Sequence, residues 1–156
     1  MQNNEYDVRV IKVVDGDTVD VDIDLGFGVT LTDERVRIMG IDTPESRTRD
    51  KVEDLFGEAA KARLKELMAN GAKLITTEDR KGEDMKGKFG RILGDFKIDD
   101  KLVTDILVEE GHAVAYFGGS KDEIQLKHEA NRQKLLREGV IAQADYDAAV
   151  KLMENK

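Results

Sequence analysis

Five short runs of strand character, one helical segment inserted after the third, and further helical segments towards the C-terminus predict an α+β fold. The architecture that suits this order is a five-stranded β-barrel of OB type with about three helices packed on it. Three kinds of signal carry the reading: period-two alternation in the first half, turn dipeptides between the runs, and apolar residues at helical spacing after Asp50.

Val8 to Val14 is apolar-rich and stops at Asp15-Gly16, a strong turn dipeptide, so a hairpin follows. From Thr18 to Leu25 the chain alternates strictly. Val19, Val21, Ile23 and Leu25 share one face and Asp20, Asp22 and Asp24 the other, the pattern of a half-buried strand. The acidic stripe reads as a solvated sheet face in preference to a second cation site. Gly26-Phe27-Gly28 turns the chain into a third run ending near Ile41, where Val36 and Ile38 alternate with Arg35 and Arg37. From about Glu53 to Met68, Phe56, Ala60, Leu64, Leu67 and Met68 recur at helical spacing, and Asn70-Gly71 closes the segment. Lys73 to Thr77 and Phe89 to Ile98 read as strands four and five, separated by the charged, glycine-rich loop Asp79 to Lys88. Leu102, Val103, Ile106 and Leu107 make one face of a short helix that Gly111 ends. Ser120-Lys-Asp-Glu123 is a capping box opening a third helix that runs to about Glu138. In the tail Tyr146, Ala149, Val150 and Met153 share a stripe, and a short fourth helix can form there.

The chain of 156 residues is large enough for one core and too small for two comfortable ones. One domain over residues 1–140 with a helical tail over 141–156 is expected. Because there is no cysteine, any metal must be held by oxygen or histidine. No apolar stretch is long enough to span a bilayer, and the first residues lack the basic-then-apolar order of a leader. A soluble, cytoplasmic protein without membrane contact, acting as a monomer, is therefore expected. Its net charge of −8 argues mildly against a nucleic-acid partner, which usually meets a basic field. A local basic cleft on an acidic body remains compatible with that charge.

The stretch Val36 to Thr48, VRIMGIDTPESRT, concentrates the chemistry. Asp42 and the oxygens of Thr43, joined by Asp17 from the Asp15-Gly16-Asp17-Thr18 turn, are hard ligands of the sort Ca²⁺ or Mg²⁺ prefers. Glu45 is near enough in sequence to orient or deprotonate a bound water. Arg37, and Arg91 in Gly87-Lys-Phe-Gly-Arg91, suit a phosphate and the charge that builds on it during displacement at phosphorus. These are the parts of a phosphodiesterase. One geometric condition follows. Arg37 and Asp42 are five apart and point to opposite faces of a straight strand, so both can reach one site only if the chain bends near Gly40. His112 and His128 are expected to be structural or exposed, because nothing in the sequence places them near the carboxylates.

The ordered set Asp15-Gly16-Asp17-Thr18, RVRIMGIDTPE, GEAAKARLKEL, KFGR and LVEEGHAVAY resembles the staphylococcal nuclease (thermonuclease) family over roughly residues 8–138. The ESRTRD stretch after the motif looks like versions carried by phages, which would put the protein in a host's cytoplasm. The resemblance implies a calcium-dependent nuclease that cuts DNA or RNA with low sequence specificity and leaves 3′-phosphates. It implies Asp17, Asp42 and Thr43 as Ca²⁺ ligands, Glu45 as general base, and Arg37 and Arg91 as catalytic arginines. Lys88, Phe89 and Tyr116 fall at substrate-binding positions. The chain departs from the family at three places: Gly87 for an aspartate, Phe89 for a phosphate-binding tyrosine, and Gly118 for a base-stacking tyrosine. The rival reading is a non-catalytic OB module that binds single-stranded nucleic acid or protein, favoured by the missing tyrosines and the acidic surface. An acidic module contacting a basic partner through the aspartate stripe has only composition behind it. Retention of the carboxylates and arginines favours the enzyme.

Overall fold

The computed structural model describes residues 3–77, 91–116 and 120–154. In chain order the elements are β1 (Asn3–Asp15), β2 (Thr18–Gly26), β3 (Val29–Ile38), β4 (Ile41–Asp42), α1 (Lys51–Met68) and β5 (Ala72–Thr77). There follow β6 (Ile92–Ile98), β7 (Lys101–Leu102), α2 (Val103–Glu110), β8 (Val114–Ala115), α3 (Lys121–Arg137) and α4 (Gln143–Glu154). The first three strands form an antiparallel meander, β5 adds to β1, and β6 adds to β5. Parallel pairing of β3 with β6, Val36 beside Ile92 and Ile38 beside Gly94, then closes five strands into a barrel. This is the predicted α+β fold. The short strands β4 and β8 form a separate two-stranded sheet at the barrel's edge.

Alternation in the sequence becomes inside and outside in the barrel. Val19, Val21, Ile23, Val36, Ile38, Leu74 and Phe96 fill the interior, and Leu64 and Met68 of α1 with Val103 and Leu107 of α2 cover it. A second cluster, Phe56, Leu135 and Ile141 with Tyr146 against it, joins α1, α3 and α4. None of the described helices is long and apolar enough to cross a membrane.

Three details differ from the sequence expectation, each for a local reason. Leu25 shares its face with buried Val19, Val21 and Ile23, yet it is 40% exposed and Phe27 at the hairpin tip is fully exposed. The β2–β3 ribbon here outruns the barrel, so the inward face has no partner layer. Helix α1 begins at Lys51 because Asp50 accepts hydrogen bonds from the Val52 and Glu53 amides, both at 3.0 Å. Helix α2 starts after Leu102, which offers no side-chain cap; Asp95 of β6 takes that part, accepting from Thr104 Oγ1 at 2.6 Å. Burial pushes the Asp95 carboxyl up, against the hydrogen bonds that favour its ionised form.

The acidic stripe is tied up by arginines lying directly opposite in the register. Asp20 pairs with Arg35 at 2.9 and 3.2 Å, and Asp22 with Arg9 at 2.7 Å. Asp22 also accepts the Asp33 amide, and that bond together with the Arg9 guanidinium holds its carboxyl below the usual carboxylate range.

His112, after α2, is 4% exposed, and its Nδ1 has no hydrogen-bond partner among the described residues. Burial pushes its imidazole below the usual histidine range. Below about pH 6.5 the unfolded chain then binds a proton that the folded chain refuses, so stability falls as pH drops from there through the lowered folded value. The urea midpoint should decrease between about pH 7.5 and about pH 5.5. His112→Leu should flatten that decrease, and an equally steep fall in the variant would remove His112 as its cause.

Candidate active site

The site is assembled where the β1–β2 turn meets the end of β3. Asp17 precedes β2, its carbonyl accepts the Ile38 amide at 2.8 Å, and Thr18 lies opposite Arg37 in the ladder. Its carboxylate gathers three donors. Thr18 Oγ1 donates to Oδ1 at 2.9 Å, Thr43 Oγ1 donates to Oδ2 at 3.0 Å, and Arg37 Nη2 stands 3.3 Å from Oδ2.

The bend required near Gly40 is present. Strand β3 ends at Ile38, Gly40 adopts φ +81°, a left-handed conformation open to glycine, and the chain re-enters as β4 against β8. The Gly40 carbonyl accepts the Tyr116 amide at 2.9 Å, which pins the turn to the segment after β8. Arg37 reaches back across it and donates to the carbonyls of Ile38 and Ile41. Thr43 and Arg37 thereby both reach the Asp17 carboxylate, whereas Asp42, the residue five from Arg37, meets His128.

The loop that follows is fastened on both sides. Ser46 Oγ donates to Asp15 of β1, the Glu45 amide donates to Glu53 Oε1 at 3.0 Å, and the Arg47 amide donates to Asp54. Glu53 and Asp54 belong to the first turn of α1, whose Gly57 lies under the loop. A Cβ at Gly57 would stand 2.2 Å from the Glu45 carbonyl oxygen. The exposed Glu45 side chain is thus carried on a backbone held by α1.

A cleft of about 260 Å³ results, lined by Asp15, Asp17, Thr18, Arg37, Thr43, Pro44, Glu45, Ser46 and Arg91. A groove of about 650 Å³ continues from it, sharing Asp15, Thr18 and Arg91 and adding Arg35 and Arg47. Five of the six predicted metal and catalytic positions, Asp17, Thr43, Glu45, Arg37 and Arg91, therefore border one space. The sixth, Asp42, is next in the chain to Thr43, and its Oδ2 is 2.7 Å from His128 Nε2. His128 is buried and structural, but the expectation that it lies away from the carboxylates is overturned: α3 delivers it to Asp42 across 86 positions of sequence. Tyr116 is 43% exposed and borders a different, more apolar groove with Met39, Gly40 and Ile41. Lys86, Gly87, Lys88, Phe89 and Gly118 lie outside the described residues.

Among the described residues no three carboxylate or imidazole side chains converge as a self-sufficient metal cage. Of the predicted ligands, Asp17 and Thr43 line the cleft and Asp42 is next in the chain to Thr43; all three offer hard oxygens. That fits an open site for a hard cation that keeps part of its hydration shell.

Fold and cleft together define a class: a closed OB-type barrel with a carboxylate site flanked by two arginines at its rim. The family model described as staphylococcal nuclease homologue matches residues 35–143, and the chain belongs to that family. Among its relatives is the SPbeta prophage-derived endonuclease YokF of Bacillus subtilis (strain 168), 37% identical over 111 residues that cover 70% of this chain and 34% of the relative. Endonuclease YncB of the same organism is 35% identical over 116 residues, 74% of this chain and 51% of the relative. The thermonuclease of Staphylococcus intermedius is 32% identical over 131 residues, 81% of this chain and 72% of the relative. The chain thus spans a third to a half of the two Bacillus proteins and most of the thermonuclease.

Gly57 gives a direct test of the loop's seating. In an ordinary helix interior glycine-to-alanine stabilises by about 1 kcal/mol. Here Gly57→Ala should lower the denaturant midpoint, because the Glu45 backbone must move to admit the methyl group. A stabilised variant would mean that the loop is not packed on α1 as described.

Proposed function

We propose that the protein is a calcium-dependent phosphodiesterase that hydrolyses DNA or RNA with low sequence specificity and leaves 3′-phosphates. The observation that carries this is the convergence of Asp17, Thr43, Glu45, Arg37 and Arg91, drawn from four separate stretches of chain, around one cleft. Family membership and the endonuclease and thermonuclease relatives support the same reading.

Asp17, Asp42 and the Thr43 oxygen would hold the cation. Ca²⁺ bound there would supply positive charge that makes a phosphate phosphorus more electrophilic. Glu45 takes the proton of a water as its oxygen bonds to phosphorus in line with the bond to the 5′-oxygen; that bond breaks, the electron pair stays on the 5′-oxygen, and a proton from solvent water makes it a hydroxyl. Arg37 and Arg91 donate to the non-bridging oxygens, where negative charge builds in the transition state. Arg37 is already held in place by Asp17 and two backbone carbonyls, so little ordering remains at the moment of reaction. Lys88 and Phe89 would contact the substrate chain, and Tyr116 a neighbouring base.

Three measurements test this. Cleavage of a short single-stranded oligonucleotide should vanish in excess chelator and return with Ca²⁺; full activity under chelation would sink the cation assignment. Arg37→Lys and Arg91→Lys keep the charge but lose the two-pronged contact, and turnover should fall roughly a hundredfold or more while the fold persists. Wild-type activity in both would make these ordinary surface arginines. His128→Ala should weaken Ca²⁺ binding by about 10- to 100-fold in calorimetry, because a ligand carboxylate loses the partner that orients it. Unchanged affinity would show that Asp42 needs no such partner.

A further inference from the structure

Behind Glu45 a chain of contacts leads away from the cleft and ends in the C-terminal helix. The Glu45 amide donates to Glu53 Oε1 at 3.0 Å, and the other oxygen of that carboxylate accepts from Arg132 Nη2 of α3 at 2.9 Å. The Arg132 guanidinium carbon lies 5.3 Å from the centre of the Phe56 ring, and the edge of the Tyr146 ring meets Phe56 at a centroid distance of 6.1 Å. Phe56 is buried, Arg132 and Glu53 are mostly covered, and Arg132 Nε is buried with no hydrogen-bond partner among the described residues. A guanidinium this enclosed is not a solvated surface charge. It has one described carboxylate partner, and that carboxylate holds the backbone of the residue assigned as base. Tyr146 lies past residue 143, where the family match ends, so the brace draws on a helix outside the matched region.

The geometry points to Arg132 as a positioning residue for catalysis: it fixes the Glu53 carboxylate, which fixes the Glu45 backbone, with Phe56 and Tyr146 holding the guanidinium from behind. Without the charge partner, the Glu53 side chain regains rotamer freedom and the Glu45 amide loses a fixed acceptor. A displacement of about 1 Å at a reacting group can cost a hundredfold in rate, so a loosened loop should be visible in turnover. This inference rests on the assignment of Glu45 to the reacting water, and the experiment separates the two.

The test compares Arg132→Met, which keeps most of the stem and removes the charge, and Arg132→Lys, which restores a cation, each with Glu45 present or replaced in Glu45→Gln. In the Arg132→Met protein kcat should fall at least about tenfold, with KM and calorimetric Ca²⁺ affinity within about twofold, and Arg132→Lys should recover part of the loss. Hydrogen exchange at the Glu45 amide, followed by NMR without substrate or metal, should quicken at least about tenfold in Arg132→Met. In the Glu45→Gln background the same substitution should cost less than about twofold in kcat, because the group it positions is gone. Unchanged amide exchange, or an equal kcat loss in both backgrounds, would overturn the positioning role even if Glu45 is the base. Full activity of Glu45→Gln alone would instead remove Glu45 from the reaction, and the role of Arg132 would fall with it.

Discussion

The parallel pairing of β3 with β6 is the constraint on which the rest depends. It closes the barrel, and it places Arg37 beside Leu93 with Arg91 just before the strand that pairs. Once Met39 has donated its amide to the Gly94 carbonyl, the chain cannot run on as β3 without leaving the barrel wall. It reverses at Gly40 instead. Beyond it Thr43, Glu45 and Ser46 come against the β1–β2 turn, so the cleft is a consequence of closure. The one residue able to adopt the turn cheaply sits at the turn.

Electrostatics divides the molecule into two unlike parts. On the outer face of the barrel, aspartates and arginines face each other across the strands and neutralise each other, Asp20 with Arg35 and Asp22 with Arg9. At the rim, Arg37 stands beside Asp17, and Arg91 borders the same space. A net charge of −8 gives a polyanion little long-range attraction. Recognition of a phosphate would then depend on short-range contacts inside the cleft more than on a steering field, and contacts of that kind persist better in salt.

The parts of the fold legible in the sequence are those set by local periodicity. The alternation of β2, the reversal at Asp15-Gly16 and the helical stripe of α1 each need only a few neighbouring residues to be recognised. The bend at Gly40 is legible for another reason: an arginine and an aspartate five apart are candidates for one site, and a glycine lies between them. What could not be read was where long-range partners fall. Leu25 keeps the strand's alternation and still faces solvent, because where the ribbon outruns the barrel is a tertiary fact. Asp95 caps a helix from a different element, β6, accepting the Thr104 amide and hydroxyl. His128 carries no local mark separating it from any histidine on a polar helix, and only the docking of α3 brings it to Asp42. That Asp17, Thr43, Glu45 and the two arginines border one cleft is legible from their ordered set, but the polar groups that hold them are not.

Helix α3 shows why those supports escape a pattern search. Only His128 and Leu135 are buried along its length, so hydrophobic periodicity says little about which way it faces. Beside the apolar contact of Leu135 with Phe56 and Ile141, polar contacts fix its seat: Asn131 Nδ2 donates to the Ala113 carbonyl at 3.2 Å, and Lys134 Nζ donates to the Glu109 carbonyl. His128 and Arg132 are four apart and therefore share one face, so the same docking that brings one to Asp42 brings the other to Glu53. One helix thus bears on both ends of the Asp42-Thr43-Pro44-Glu45 segment, on the first directly through His128 and on the last only by way of Glu53 of α1, which accepts the Glu45 amide. Displacement of α3 would disturb the two ends together. That coupling explains how a site on a short loop can hold its geometry when the loop has almost no apolar core of its own.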